Sequence, residues 1–423
     1  MQKYYTAVEP TAFVPDDQED PAKSKSTPFK YHSKSRSYQN LIPPQNMYSH
    51  YSSLALLTAI IAVTMSQEPL NTLHPIPRRI DVHSHFLPPF YRTALAQHGH
   101  SHPDGMPAIP SWSPSAHLEM MSVANVSRSI LSISSPGTHL VHSDPSLAVS
   151  LTRQCNAYAA DLKAQCPEKF GYWAALPLPD IGAALEEVDR SWNDGADGFG
   201  LMTNYAGVYL GDTSFDAIFA RLNDLHAPVF VHPTAPCIAA SNTTATTQAS
   251  PFGEQYPIPI FEFFFDTARA VINLFSSGTV DRCPNVKFII PHAGGALPPL
   301  LTRFIQFSSV VPGGRVLNAT TVRKQLDTQF YFDLAGFVFD GEGGGQGQLK
   351  AFVEGFEIGH ERLLFGSDFP FTQTQFVEMF AKRMKNGLEA LYGEDERKDV
   401  YEGNAERLLA ERTRNRGGNN ILL

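Results

Sequence analysis

Cysteine is scarce in this chain: four in 423 residues, at Cys155, Cys166, Cys237 and Cys283, with no C-x-x-C pair among them. Closely spaced thiols are what a disulfide scaffold or a zinc finger is built from, so both are excluded. Scattered single cysteines suit a reducing compartment, and a cytoplasmic location is the expectation. They read as small buried hydrophobes. Basic charge is also in deficit. The 33 Lys and Arg against 42 Asp and Glu leave a net charge of −9, which argues against nucleic acid as a partner. The apolar run at 54–63, LALLTAIIAV, falls short of the roughly 20 residues of a spanning helix. It also begins too far along the chain for a secretory signal, so membrane association is not expected.

The first 64 residues differ from the rest. Residues 2–51 are rich in Ser, Pro, Tyr, Lys and Gln without a sustained apolar period, and read as disordered. The expected organisation is a dispensable extension over 1–64, with the working chain in effect beginning at Met65. A folded domain over 79–412 and a flexible tail over 413–423 follow. With 43% apolar residues, the folded part has ample material for a large core.

From Arg79 onward, β-rich runs alternate with amphipathic helical segments. Strands are expected at 80–85, 128–134, 170–176, 197–202, 228–232, 287–292, 329–334 and 362–368. Helical patterns lie between them at 145–165, 181–192, 215–225, 261–276 and 297–307. In 181–192, Ala184, Leu185, Val188 and Trp192 share one face. Eight β-then-α units in series predict a (β/α)8 TIM barrel, and the continuous apolar character of the strands fits a parallel sheet covered by helices. Three long connections, 86–114, 233–257 and 335–348, follow the C-terminal ends of strands one, five and seven. Barrel enzymes build their sites on that face, so these are expected walls or lids.

The same strand ends carry the chemistry. Strand one ends in His83-Ser84-His85, and residues i and i+2 of a strand project to one side, so the two imidazoles can chelate one metal. Strand five ends in His232, strand six in His292 and strand eight in Asp368. Converging barrel strands bring these five to a common centre. Strand four reads ADGFGLMT and contains no lysine.

The motifs IDVHSHF, FVHP, KFIIPHAGGALP and LLFGSDFP, with FFFDTARAVINLFSSGT, resemble the amidohydrolase superfamily over roughly Arg79 to Leu409. Within it they are similar to the decarboxylase branch that includes the aminocarboxymuconate-semialdehyde, γ-resorcylate and 6-methylsalicylate decarboxylases. The run FDTARAV…SGTVDR…PNVKFI is most similar to the last group, which yields m-cresol in polyketide pathways. The resemblance implies one divalent metal, most often zinc and sometimes manganese, held by His83, His85, His232 and Asp368, with His292 handling protons beside it. The acid that protonates the ring carbon is Asp368 or His292. Arg303 would bind a substrate carboxylate across a homodimer interface, and Phe86 and Phe369 would wall the pocket. The implied reaction is non-oxidative decarboxylation of a small aromatic hydroxy acid. The alternative is a mononuclear hydrolase of a lactone or amide.

Other residues attract structural readings. Glu262, Asp266 and Arg269 fall at i, i+4 and i+7 and are expected to form an ion network. Of Phe263, Phe264 and Phe265, some pack against the barrel, and at most one is expected to line the pocket. His98, His100 and His102, among glycine, serine and proline, are expected to face solvent.

Overall fold

The computed structural model describes residues 76–239, 246–248, 250–252, 255–336 and 346–410. The expectations for 1–64 and 413–423, and most of that for the 335–348 connection, lie outside the described residues.

Eight parallel strands run in the order of the chain: β1 Arg79–His85, β2 Val126–Ser132, β3 Phe170–Ala175, β4 Gly198–Met202, β5 Pro228–His232, β6 Lys287–Ile290, β7 Phe330–Asp333 and β8 Leu363–Leu364. The ring closes where β8 returns to β1. The Val82 N–H donates to the Phe365 carbonyl at 3.0 Å, and the Asp368 N–H donates to the His83 carbonyl at 2.8 Å. Each strand is followed by at least one helix that covers the outside, the arrangement of a (β/α)8 barrel. The helices used below are α1 Pro89–Gln97, α2 Pro114–Val123, α3 Pro145–Gln165, α4 Ile181–Asn193, α5 Asp216–Asp224, α6 Glu262–Ser277, α7 Leu297–Ser308, α8 Ala319–Gln329, α9 Gln346–Gly355 and α10 Thr374–Glu389. The last of these follows β8.

Local sequence explains where several helices begin. Asp144 accepts from the Leu147 N–H ahead of Pro145, and Asp180 accepts from the Ala183 N–H. Ser113 and Asn318 cap α2 and α8 in the same way. A short polar side chain at the cap, with proline in the first turn, satisfies amide donors that the helix cannot. On α4 the buried face is Ala184, Glu187, Val188, Ser191 and Trp192. Leu185 is only half-buried, and buried Glu187 is held by Asn156, Ser191 and Arg190.

Two cores result. The larger lies between strands and helices. The smaller fills the barrel interior with Ile80, Val82, Ile130, Trp173, Phe230, Ile289, Tyr331 and Leu364, joined by Ala405, Leu408 and Leu409 near the chain's end. In β1 these interior residues have even numbers, whereas His83 and His85, which also point inward, are odd. Strict alternation forbids that. A register shift between Asp81 and Ser84 against β2 resolves it, because a bulge inserts one extra residue and re-aims the strand.

Strands β6 and β8 are shorter than their apolar runs suggest. Pro291 follows β6, and beyond it His292 and Ala293 take left-handed φ values of 55° and 53°. After β8, Gly366 passes so close to β1 that a Cβ there would lie 2.7 Å from the Cβ of His83. The long connection after β1 contains α1, which its Pro and Gly content obscured. The one after β5 contains a two-stranded pairing of Cys237–Ala239 with Thr246–Gln248.

Trp173 is the largest fully buried side chain, and its indole N–H donates to the Val82 carbonyl at 2.8 Å in the barrel interior. Trp173→Ala is expected to lower unfolding free energy by about 3–5 kcal/mol, through the cavity and the orphaned carbonyl. Equilibrium denaturation would measure this, and a loss below about 1 kcal/mol would mean the interior collapses around the gap.

Candidate metal centre

His83 and His85 leave β1 with their Nε2 atoms 3.2 Å apart. His232 arrives from β5, its ring centroid 5.5 Å from that of His83 and 4.8 Å from that of His85. All three are buried, and one nitrogen from each falls within 4.8 Å of the others. Asp368 brings Oδ1 to 3.2 Å from His85 Nε2 and 3.5 Å from His83 Nε2. His292 completes the group, its ring 5.1 Å from the His83 ring. The structure therefore assembles all five strand-end residues.

The other ring nitrogen of each of the three histidines is already engaged. His83 Nδ1 is 3.0 Å from the Asp333 carboxylate, and His232 Nδ1 is 2.6 Å from the Pro233 carbonyl. Both oxygens can only accept, so both Nδ1 atoms carry the proton. His85 Nδ1 lies 3.0 Å from Ser132 Oγ, whose own hydrogen goes to the Ser84 carbonyl at 3.2 Å. A serine oxygen that has spent its proton is an acceptor, so His85 is likewise protonated at Nδ1. Two neutral Nε2 lone pairs 3.2 Å apart, beside a carboxylate, repel unless a cation or a proton lies between them. This donor set fits a divalent metal, with partners behind the imidazoles that fix their tautomers.

Without a metal, a proton takes that place. Burial depresses the His83 imidazole, but Asp333, Asp368 and Asp81 outweigh it and hold it at about 8. Burial lowers His85 despite its bond to Asp368, and burial with the imidazoles of His85, His83 and His292 lowers His232 further. Burial works to raise Asp368, yet the histidines around it win and keep it below the usual carboxylate range. His292 falls to about 4, first through burial and then through the charge on His83.

Both residues at the ends of β6 and β8 pay for their positions. His292 has φ 55° and Asp368 φ 57°. Non-glycine residues in this region cost on the order of 1–3 kcal/mol each, and such strain clusters at functional sites.

Asp333, at the end of β7, was not singled out by sequence reasoning. Its Oδ2 holds His83, while its Oδ1 accepts the N–H groups of His292 at 3.2 Å and Ala335 at 3.0 Å. One carboxylate thus positions two of the five site residues. The available signal was its place at a strand end in QFYFDL, alongside the other four strand ends.

The expected pocket aromatics fall elsewhere. Phe86 is fully buried in the main core, its ring against Tyr158 and Trp112. Phe369 is in the same core with its ring against His117. Phe86 directly follows inward-pointing His85 at the end of β1, and adjacent residues of an extended strand face opposite ways. The rings that do face the centre are Phe371, 5.5 Å from His85, Phe263, 6.0 Å from His232, and Phe264, 5.4 Å from His292. Phe265 is 46% exposed. Arg303 is exposed on α7 with its guanidinium over Phe307. His98 and His102 are exposed, but His100 is half-buried and bonds the Leu140 carbonyl at 3.0 Å.

The amidohydrolase family model matches residues 80–410. This chain belongs to the amidohydrolase family. It is 35% identical over 342 residues to decarboxylase yanB of Aspergillus niger, covering 78% of this chain and 87% of that one. It is 34% identical over 324 residues to the 6-methylsalicylic acid decarboxylase acuB of Aspergillus aculeatus, covering 73% and 92%. A dihydroxybenzoic acid decarboxylase from Polaromonas, solved with bound manganese and 2-nitroresorcinol, matches the fold with a TM-score of 0.64. That match has 22% identity and covers 79% of this chain and 97% of that one. The chain is a carboxy-lyase of the superfamily. Among the described residues, no helix is long and apolar enough to cross a membrane.

If His83 ligates a divalent metal, binding must displace its proton, and affinity for zinc or manganese should fall about tenfold per pH unit below 8 and level off above it. Chelator competition across a pH series measures this. An affinity independent of pH in that window would mean His83 binds no metal.

Proposed function

We propose that this protein is a metal-dependent, non-oxidative decarboxylase of a small aromatic hydroxy acid, 6-methylsalicylate to m-cresol and CO2, in polyketide metabolism. The observation that carries this reading is the convergence of three buried histidines and Asp368 at one point. Relatives named for the same reaction, at 34–35% identity, support it. In this reading His83, His85, His232 and Asp368 hold one divalent metal. Zinc is the first candidate; manganese, present in a structural neighbour, is the second.

The metal, when bound, supplies positive charge that orients the carboxylate and ortho hydroxyl of the substrate and draws electron density from the ring. The remaining work falls to the chain. The ring carbon must gain a proton as the C–C bond to the carboxylate breaks and CO2 leaves with no redox change. Asp368 relays that proton: its side chain is 24% exposed and reaches toward the centre from the strained end of β8. His292, depressed to about 4, is neutral at physiological pH and acts as an acceptor and orienting group beside it. The rings of Phe263, Phe264 and Phe371 give an aromatic substrate apolar faces to pack on.

Purified protein given 6-methylsalicylate should release m-cresol and CO2, with solvent deuterium appearing on the ring. A strong chelator should silence it, and zinc or manganese should restore it. Asp368→Asn is expected to lower turnover by at least 10²-fold while the fold is retained. Release of acid from lactones, with no CO2 from any salicylate-type acid, would replace this reading with that of a mononuclear hydrolase.

A homodimer is part of the same proposal. Leu300 and Phe307 on α7, three residues before and four after Arg303, and Val310, Val311 and Val316 beyond its end are 40–67% exposed. Exposed apolar side chains grouped in this way suit an interface. Arg303 would reach from it to a substrate carboxylate of the second copy, a task for which a planar guanidinium is apt. Arg303→Ala should raise KM about tenfold or more with little change in kcat, and Val310→Asp should shift the protein to a monomer by light scattering. Unchanged kinetics would return Arg303 to the solvated surface.

A further inference from the structure

Asp266 lies on α6 and is fully buried. The expected ion pair with Arg269 is present but does not by itself account for that burial. Arg269 comes no closer than 3.8 Å and is 45% exposed. The carboxylate is given instead to neutral donors. Oδ2 accepts from Thr203 Oγ1, and from Asn204 Nδ2 at 3.0 Å, while Oδ1 accepts from the Tyr209 hydroxyl. Desolvating a carboxylate is expensive, and three hydrogen bonds are what makes this burial tolerable.

Thr203 directly follows β4 and has one hydroxyl proton, which Asp266 claims. Its oxygen lone pair is therefore turned toward the Thr234 N–H, 3.1 Å away. The Thr203 N–H donates to the His232 carbonyl at 2.9 Å. One threonine thus grips both sides of Pro233, and Pro233 in turn receives the Nδ1–H of His232. Were the hydroxyl free to rotate, its proton would face the Thr234 N–H, donor against donor, and this grip would fail.

We propose that Asp266 is a positioning residue: it sets the direction of the Thr203 hydroxyl and through it the aim of His232 at the metal centre. The proposal rests on the metal-dependent reading above. Outer partners of metal-bound histidines are typically worth about 10–100-fold in metal affinity.

The test is titration of the full-length apoprotein with zinc and with manganese against a competing chelator, for wild type, Asp266→Asn, Thr203→Val and Thr203→Ser. Asparagine keeps one acceptor oxygen but sets an amide donor against the donors that faced the other, Thr203 and Asn204 on one side or Tyr209 on the other, and valine removes the hydroxyl at constant shape. Both should weaken metal binding about tenfold or more, while serine stays within about twofold of wild type, since it keeps the hydroxyl that the argument needs. The metal-induced rise in unfolding temperature should shrink in the same two variants. A merely structural role would lower the apo and loaded midpoints together and leave that rise intact. Should Asp266→Asn not fold, Thr203→Val carries the result. Wild-type affinity in Thr203→Val overturns the proposal, whereas failure of the wild type to bind either metal overturns the reading on which it rests.

Discussion

The structure is organised around an electrostatic conflict: three buried imidazoles and a partly exposed carboxylate are forced together. His83 and His85 approach through their unprotonated nitrogens, and neither ring can turn away because Asp333 and Ser132 hold the opposite edges. A positive charge at that point is the one thing that makes the arrangement favourable. In its absence the Asp333, Asp368 and Asp81 carboxylates keep a proton on His83. The depressed pKa of His292 has burial as its first cause and the charge on His83 as its second.

Holding such a centre requires backbone that regular strands do not provide. The bulge in β1 lets Ile80 and Val82 fill the barrel while His83 and His85 crown it. Left-handed residues at the ends of β6 and β8 turn His292 and Asp368 over the same point. The interior layer of Trp173, Phe230, Ile289 and Tyr331 beneath supplies a floor that resists rearrangement. Local strain above is offset by dense packing below, a common division of labour in enzymes.

The barrel itself was legible because its strands are continuous apolar runs and its helices are amphipathic, two patterns that survive without knowledge of contacts. Five helix spans agree with the structure to within a residue or so, and the 145–165 helix coincides with Pro145–Gln165. The ends of β6 and β8 were overextended, because PHAGG and GSD look like strand continuations until the close approach of Gly366 to β1 and the turn at His292 are seen. Helical spacing predicts an ionic role for Asp266, and Arg269 does pair with it at 3.8 Å, but its hydrogen bonds go to the β4 end about sixty residues away in sequence.

Sequence alone determined the fold class, the family and the five strand-end residues, since these depend on periodicity and on residue type at the ends of parallel strands. Tertiary structure decided which groups stand behind them. Asp333, Ser132 and Thr203 act through hydrogen bonds between strands, and Phe371 rather than Phe86 or Phe369 faces the histidines. The physical reason is directional: a hydrogen bond or a ring contact depends on where a side chain points, and that is set by bulges, left-handed turns and inter-strand register that leave no periodic trace in the chain.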